Sequence, residues 1–124
     1  MRVLTIPIIV LGVLAAPGSD EPSEAAMRAA FETRLTAQVR SVLDFVVETG
    51  GRDALDAVRA ARTDEFHIQS LKKLDCIRSP KDGHVCEFAV RIGVVTGTLD
   101  QIMSGRFYFG TGGLVFSYDD SNDA

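Results

Sequence analysis

Two hydrophobic runs flank a short polar turn in the second half of the chain, between Leu74 and Phe88. The turn is the sequence SPKDG at residues 79–83, in which proline presets φ and glycine permits a positive φ. After the turn, alternate residues from Cys86 to Val94 are apolar. Because successive side chains of a strand point to opposite faces, the pattern predicts a β-hairpin with one face in the core.

The two cysteines of the chain, Cys76 and Cys86, fall on the predicted core face on either side of this turn. Placing them opposite each other also places Leu74 opposite Phe88, so the register agrees with the hydrophobic pattern. We therefore predict a disulfide that closes the hairpin and stabilises it by roughly 3 kcal/mol, mainly by restricting the unfolded chain. The alternatives are two free buried thiols or half of a metal site.

Upstream of the hairpin, apolar residues recur every three or four positions, which predicts helix. Ser23 suits a helix N-cap, and Gly50-Gly51 suits a C-terminal end. The predicted helices run from about 24 to 48 and from about 53 to 62. We expect the sheet to cover one apolar stripe of the long helix, formed by Phe31, Leu35, Val39, Val42, Leu43 and Val46.

Four strands are predicted after the helices. They span residues 66–76, with a bulge or bend near 70–72 where the alternation slips, then 84–95, 101–109 and 114–118. Strands grouped after helices favour an α+β fold over a parallel α/β fold. The predicted architecture is a long N-terminal helix and a short second helix packed on a curved four-stranded antiparallel sheet, with one hairpin disulfide.

The N-terminus has the layout of a secretory signal peptide: Met1-Arg2, an uncharged apolar run, and then small residues. We predict a signal peptide at 1–18, with Ala15 or Ala16 as competing cleavage sites. The apolar run is shorter than the ~20 residues that a membrane span needs, although an uncleaved anchor is the alternative. Export to the periplasm or the outside implies an oxidising compartment, where two cysteines usually pair.

The rest of the chain divides into a flexible leader at 19–23, a single α+β domain at 24–118 and a disordered acidic tail at 119–124. A chain of 124 residues suffices for one domain. The net charge of −4 disfavours nucleic acid as a partner. The sequence also lacks a cluster of Lys or Arg that would favour binding to anionic lipid. After signal cleavage we expect no stable membrane anchor.

Three short motifs carry a resemblance: KLDC at 73–76, GHVCEF at 83–88, and GRFY at 105–108 before Gly112-Gly113-Leu114. They are similar to K-L-x-C, G-x-V-C and R-F motifs in small exported bacterial proteins of uncharacterised function. The order of a long helix and a curved antiparallel meander resembles the cystatin-like and NTF2-like folds. The resemblance implies a framework and an exported location, and it brings no catalytic residue with it.

Few side chains suit catalysis or metal binding. We expect the two histidines, His67 and His84, at the surface or at an edge, and with the cysteines paired we predict no metal site. The chain has no H-E-x-x-H, no G-x-S-x-G and no glycine-rich phosphate loop. The sequence therefore predicts no catalytic residue and no cofactor.

Two sharper activities are alternatives. An NTF2-like enzyme of the isomerase or dehydratase type needs a carboxylate base and an oxyanion donor, for which the candidates are Tyr108, Tyr118, Asp75 and Asp100. A cystatin-like protease inhibitor would use the frame at 93–97, which has the V-x-G part of the Q-x-V-x-G motif but lacks its glutamine.

The pattern favours a non-catalytic binding or accessory domain over an enzyme. The expected partner is another envelope protein or a small apolar ligand held between helix and sheet. The candidate binding face consists of Phe107, Tyr108, Phe109, Phe116 and Tyr118, because alternation turns some of these aromatics outward. The alternative is that they complete the core and an edge strand. That edge could pair with a partner sheet or a second copy, so the oligomeric state stays open.

Overall fold

A computed structural model describes residues 21–118. The predicted signal peptide and the acidic tail lie outside these residues. One helical element, α1 (Glu24–Ala61), precedes four strands, β1 (Phe66–Arg78), β2 (His84–Val94), β3 (Gly97–Gly110) and β4 (Gly113–Tyr118). The strands form an antiparallel sheet in the order β1-β2-β3-β4, and α1 contacts both edge strands. The broad prediction of an α+β fold is confirmed.

The element α1 begins at a side-chain cap and is interrupted once. The hydroxyl of Ser23 accepts a hydrogen bond from the backbone N–H of Ala26 at 3.1 Å, which satisfies one of the free donors of the first turn. Gly51 has φ 75° and ψ −171°, outside the helical region, and its missing side chain makes this conformation accessible. Instead of two separate helices, α1 is thus one element with a kink, which divides it into segments 24–50 and 52–61.

The disulfide between Cys76 and Cys86 is present, and the two residues stand opposite each other in the β1–β2 ladder. Gly83 in the turn has φ 80°, and its carbonyl accepts a hydrogen bond from the N–H of Ser79 at 2.9 Å. The hairpin disulfide predicted from side-chain alternation is therefore confirmed.

The register beyond the disulfide differs from the prediction. Lys73, not Leu74, pairs with Phe88, because the ladder shifts between Lys73 and Asp75 and leaves Leu74 as the extra, exposed residue. A second shift lies between Ile68 and Ser70. Two irregularities therefore flank the segment 70–72 where a single bulge was expected.

Four phenylalanine rings form the centre of the core: Phe31 from α1, Phe88 from β2, Phe107 from β3 and Phe116 from β4. All four are at most 2% exposed. Their centroids lie 4.8–5.7 Å apart, mostly in edge-to-face geometry, which aromatic quadrupoles favour. The space between helix and sheet is filled by these rings.

The start of α1 covers the outer edge of β1. The carboxylate of Glu24 accepts the backbone N–H of Lys73 at 2.9 Å, and the guanidinium of Arg28 donates to the carbonyl of Ile68. The ammonium of Lys73 donates to Glu21 and to the carbonyl of Pro22, each at 2.8 Å. These bonds satisfy backbone groups that an edge strand would otherwise expose.

Candidate functional site

The sheet covers the apolar face of α1 only near its start. Met27, Ala30 and Phe31 are buried, whereas Val42 is 58% exposed and Phe45 is 62% exposed. The prediction that the sheet covers the whole stripe is therefore wrong beyond its first part. The reason is length, because segment 24–50 is about 40 Å long, while four strands about 4.8 Å apart span less than half of that.

Beyond Phe31 this face continues as one strip of exposed and half-buried side chains, which we call the open helix face. Its residues recur at spacings of three and four and therefore share one side of the helix. They are Leu35, Gln38, Val39, Val42, Phe45, Val46 and Thr49. None of these side chains carries a charge, and the strip extends over about 21 Å. Its central residue, Val42, is 58% exposed.

The second segment of α1, residues 52–61, borders one side of the open helix face. Leu55 is buried and Val58 is half-buried. Val58 lines a groove of about 260 Å³ together with residues of the first segment, namely Leu35, Gln38, Val39, Val42, Leu43 and Val46, and with Thr63 and Asp64. Leu55 lines a neighbouring groove with Val47 and with the charged residues Arg40, Asp44, Arg59 and Asp64, among others. The groove on the Val42 side is thus the less charged of the two, with Asp64 as the charged residue of its lining.

The last residue of β4 ties the sheet to α1 where the cover ends. The hydroxyl of Tyr118 donates a hydrogen bond to Oε1 of Gln38 at 2.7 Å, and the guanidinium of Arg34 lies 5.4 Å from the centroid of the Tyr118 ring. Partial burial raises the pKa of Tyr118 above its ordinary value, and the charge of Arg34 offsets this only in part. Arg34 is thereby held at one end of the open helix face.

The five aromatic residues of the predicted binding face occupy three environments. Phe107 and Phe116 belong to the core, and the ring of Tyr118 lies 4.8 Å from that of Phe116. Tyr108 lies on the other face of the sheet, with the guanidinium of Arg106 4.1 Å from its ring centroid. Phe109 is 66% exposed. The structure therefore brings Phe107, Phe116 and Tyr118 together and separates them from Tyr108.

The residues considered for an isomerase do not converge. The carboxylate of Asp100 accepts hydrogen bonds from Arg91, the shorter at 2.7 Å, and this bonding lowers the pKa of Asp100, whereas a general base is most effective with a pKa near the operating pH. Asp75 is exposed, and Tyr118 has an amide as its partner. Among the polar side chains of residues 21–118, His84 is buried. The prediction that His84 lies at the surface or at an edge is therefore wrong.

The frame considered for a protease inhibitor, residues 93–97, forms the tip of the β2–β3 hairpin. Val95 and Thr96 are the two connecting residues. Val95 is exposed, so the tip is accessible, but it carries neither a glutamine nor an aromatic side chain.

The described part of the chain offers no other obvious chemistry. Between residues 21 and 118, no three His, Cys, Asp or Glu side chains cluster as metal ligands would. None of the helical structure in this range has the length and apolar character to cross a membrane. Comparisons with protein-family models, with curated proteins and with solved structures found no match for this chain. The site is therefore defined by its geometry alone.

Proposed function

We propose that this chain is a small exported, non-catalytic binding protein whose contact surface is the open helix face. One observation carries the proposal: the helix face that packs on the sheet at Phe31 continues past the sheet and exposes Val42 and Phe45. Single exposed apolar side chains are ordinary on a protein surface. A continuous uncharged strip on a helix, in contrast, marks a surface that another molecule covers.

Export is part of the proposal. The basic and apolar start of the sequence supports a signal peptide at 1–18, and the disulfide between Cys76 and Cys86 suits an oxidising compartment. We also propose that the two segments of α1 correspond to the long and short helices of a cystatin-like or NTF2-like layout.

The expected partner is another exported protein. A ligand held between helix and sheet has less support, because four phenylalanine rings fill that space. The last hairpin offers fewer exposed aromatic side chains for a contact surface than the sequence predicted, because Phe107 and Phe116 are in the core. Phe109 keeps an exposed ring and remains the rival contact residue.

Substitution of Val42 tests this function. Val42→Glu places a charge at the centre of the open helix face while leaving the core unchanged, so the free energy of unfolding should change by less than about 0.5 kcal/mol. We expect a cross-linked complex formed by the exported, disulfide-intact wild type to be lost in this variant.

The matched control is Ile102→Glu, because Ile102 is a comparably exposed apolar residue (69%, against 58% for Val42) that lies on β3, away from α1. This variant should form the complex as the wild type does. Equal cross-linking of all three proteins would show that the open helix face is not the contact surface.

A further inference from the structure

The open helix face is symmetric about Val42. Leu35 and Thr49 lie seven residues before and after Val42. Gln38 and Val46 lie four residues away, and Val39 and Phe45 lie three residues away. A two-fold axis through Val42 therefore maps the strip onto itself when a second helix runs antiparallel. In that arrangement each residue of the strip meets another uncharged residue of the strip.

The charges beside the strip favour the same arrangement. Arg34, Ser41 and Glu48 are seven residues apart and therefore follow one flank of the open helix face. Arg34 lies eight residues before Val42, and Glu48 lies six residues after it. Antiparallel pairing brings Arg34 of each copy near Glu48 of the other. Parallel pairing would instead turn this flank toward the opposite flank of the other copy, where Val39 and Val46 offer no charge to Arg34 or Glu48.

We infer that the partner of the open helix face is a second copy of this chain, docked antiparallel about Val42 with two Arg34–Glu48 ion pairs between the copies. This inference rests on the proposed function and specifies its partner. The contact is about 21 Å long and therefore at the small end of specific interfaces. The dimer should dissociate on dilution.

Other occupants from the same chain fit less well. Residues 119–124 follow Tyr118, which lies beside Gln38, but their sequence DDSNDA has no large apolar side chain to place on the strip. The apolar run in residues 1–18 is removed if the predicted cleavage occurs.

Sedimentation velocity on the exported, disulfide-intact protein tests the inference, with the N-terminus of the same sample determined by mass spectrometry. We expect the wild type to change from monomer to dimer as its concentration rises. Val42→Glu should remain monomeric, and Ile102→Glu should behave as the wild type. A wild type that stays monomeric at every concentration would overturn the inference, whether or not residues 1–18 are retained.

Charge reversal tests the orientation. Arg34→Glu and Glu48→Arg should each weaken the dimer about tenfold, because each replaces two attractions by two repulsions. The double variant should recover most of the wild-type affinity, although it lacks the contact between Arg34 and Tyr118. Absence of recovery in the double variant, with thermal unfolding unchanged, would exclude the antiparallel arrangement.

The inference and the proposed function fail in different ways. If the wild type is monomeric but Val42→Glu still abolishes cross-linking to a different exported protein, the open helix face is a contact surface and the second copy is the wrong partner. If Val42→Glu changes neither association nor cross-linking, both are wrong.

Discussion

At the scale of single residues, the absence of a side chain at Gly105 lets the ring of Phe116 pack directly against β3. A Cβ atom at this position would lie 2.4 Å from Cε1 of Phe116 and 2.8 Å from the carbonyl oxygen of Ser117. Since Phe116 is part of the ring cluster, it has little room to move. The sequence marked Gly105 only as part of a short motif, and alternation does not reveal such a close approach.

We expect Gly105→Ala to destabilise the fold by about 1–3 kcal/mol, because the added methyl group overpacks the core. Urea unfolding of the disulfide-intact protein measures this. Gly112→Ala is the control, since a Cβ at Gly112 meets nothing within 4 Å and should change stability by less than about 0.5 kcal/mol. Equal stabilities of the two variants would contradict the packing described here.

Tyr118 should make stability depend on alkaline pH. Its pKa is raised in the folded state by burial, so the folded protein holds this proton more tightly than the unfolded chain does. The resulting stability is fully present below the unfolded pKa of about 10 and is lost as pH rises through the higher folded pKa.

The thermal unfolding temperature of the wild type should therefore fall above about pH 10 more steeply than that of the Tyr118→Phe variant. Tyr108→Phe is the comparison, because it removes the other tyrosine and leaves the bond between Tyr118 and Gln38 intact. If the unfolding temperature of the Tyr118→Phe variant falls as steeply as that of the wild type, burial of this hydroxyl does not control the loss of stability at alkaline pH.

The pairing of the cysteines was predictable from the sequence, whereas the pairing of Lys73 with Phe88 was not. Alternation places residues on faces only while the ladder is regular, and the shift between Lys73 and Asp75 changes the phase without any marker residue. Lys73 tolerates its position because its ammonium reaches Glu21 and the carbonyl of Pro22 beyond the sheet edge.

At the scale of elements, the disulfide is the strongest local constraint on the β1–β2 hairpin. It joins residues ten positions apart, and a loop of this size stabilises the folded state by roughly 3 kcal/mol in the chain-entropy account. Cys86 is fully buried beside the core, so the constraint acts where the sheet is packed.

Replacing both Cys76 and Cys86 by alanine should lower the free energy of unfolding by roughly 3 kcal/mol. Urea unfolding with and without reductant measures this. The reductant should destabilise the wild type by a similar amount and leave the double variant unchanged. A wild type that is insensitive to complete reduction would show that the bond does not stabilise the hairpin.

The helical character of residues 24–61 was predictable, but the single kinked element and the part of it that the sheet covers were not. Periodicity identified the apolar stripe from Phe31 to Val46, and it treated all of these positions as equivalent. Whether a position is buried depends on the width of the sheet beneath it, which no local pattern encodes. The excess length of the helix was a usable signal, because a four-stranded sheet is too narrow to cover about 40 Å of helix.

At the scale of the whole molecule, the core and the candidate contact surface lie in different places. The rings of Phe88 and Phe116 organise the packed part between α1 and the sheet. The open helix face extends past this part, so substitutions at Val42 should affect association without affecting folding. The α+β fold class and the disulfide could be predicted from the sequence, whereas the candidate contact surface required knowledge of what the sheet leaves uncovered.

Hydroxyl-radical footprinting distinguishes the two rival contact surfaces, because each of them contains one phenylalanine of similar exposure. Phe45 on the open helix face is 62% exposed, and Phe109 on the last hairpin is 66% exposed. If the protein associates through the open helix face, oxidation of Phe45 should fall at high protein concentration relative to the dilute form, while oxidation of Phe109 should stay unchanged. Protection of Phe109 without protection of Phe45 would contradict the account and assign the contact to the last hairpin.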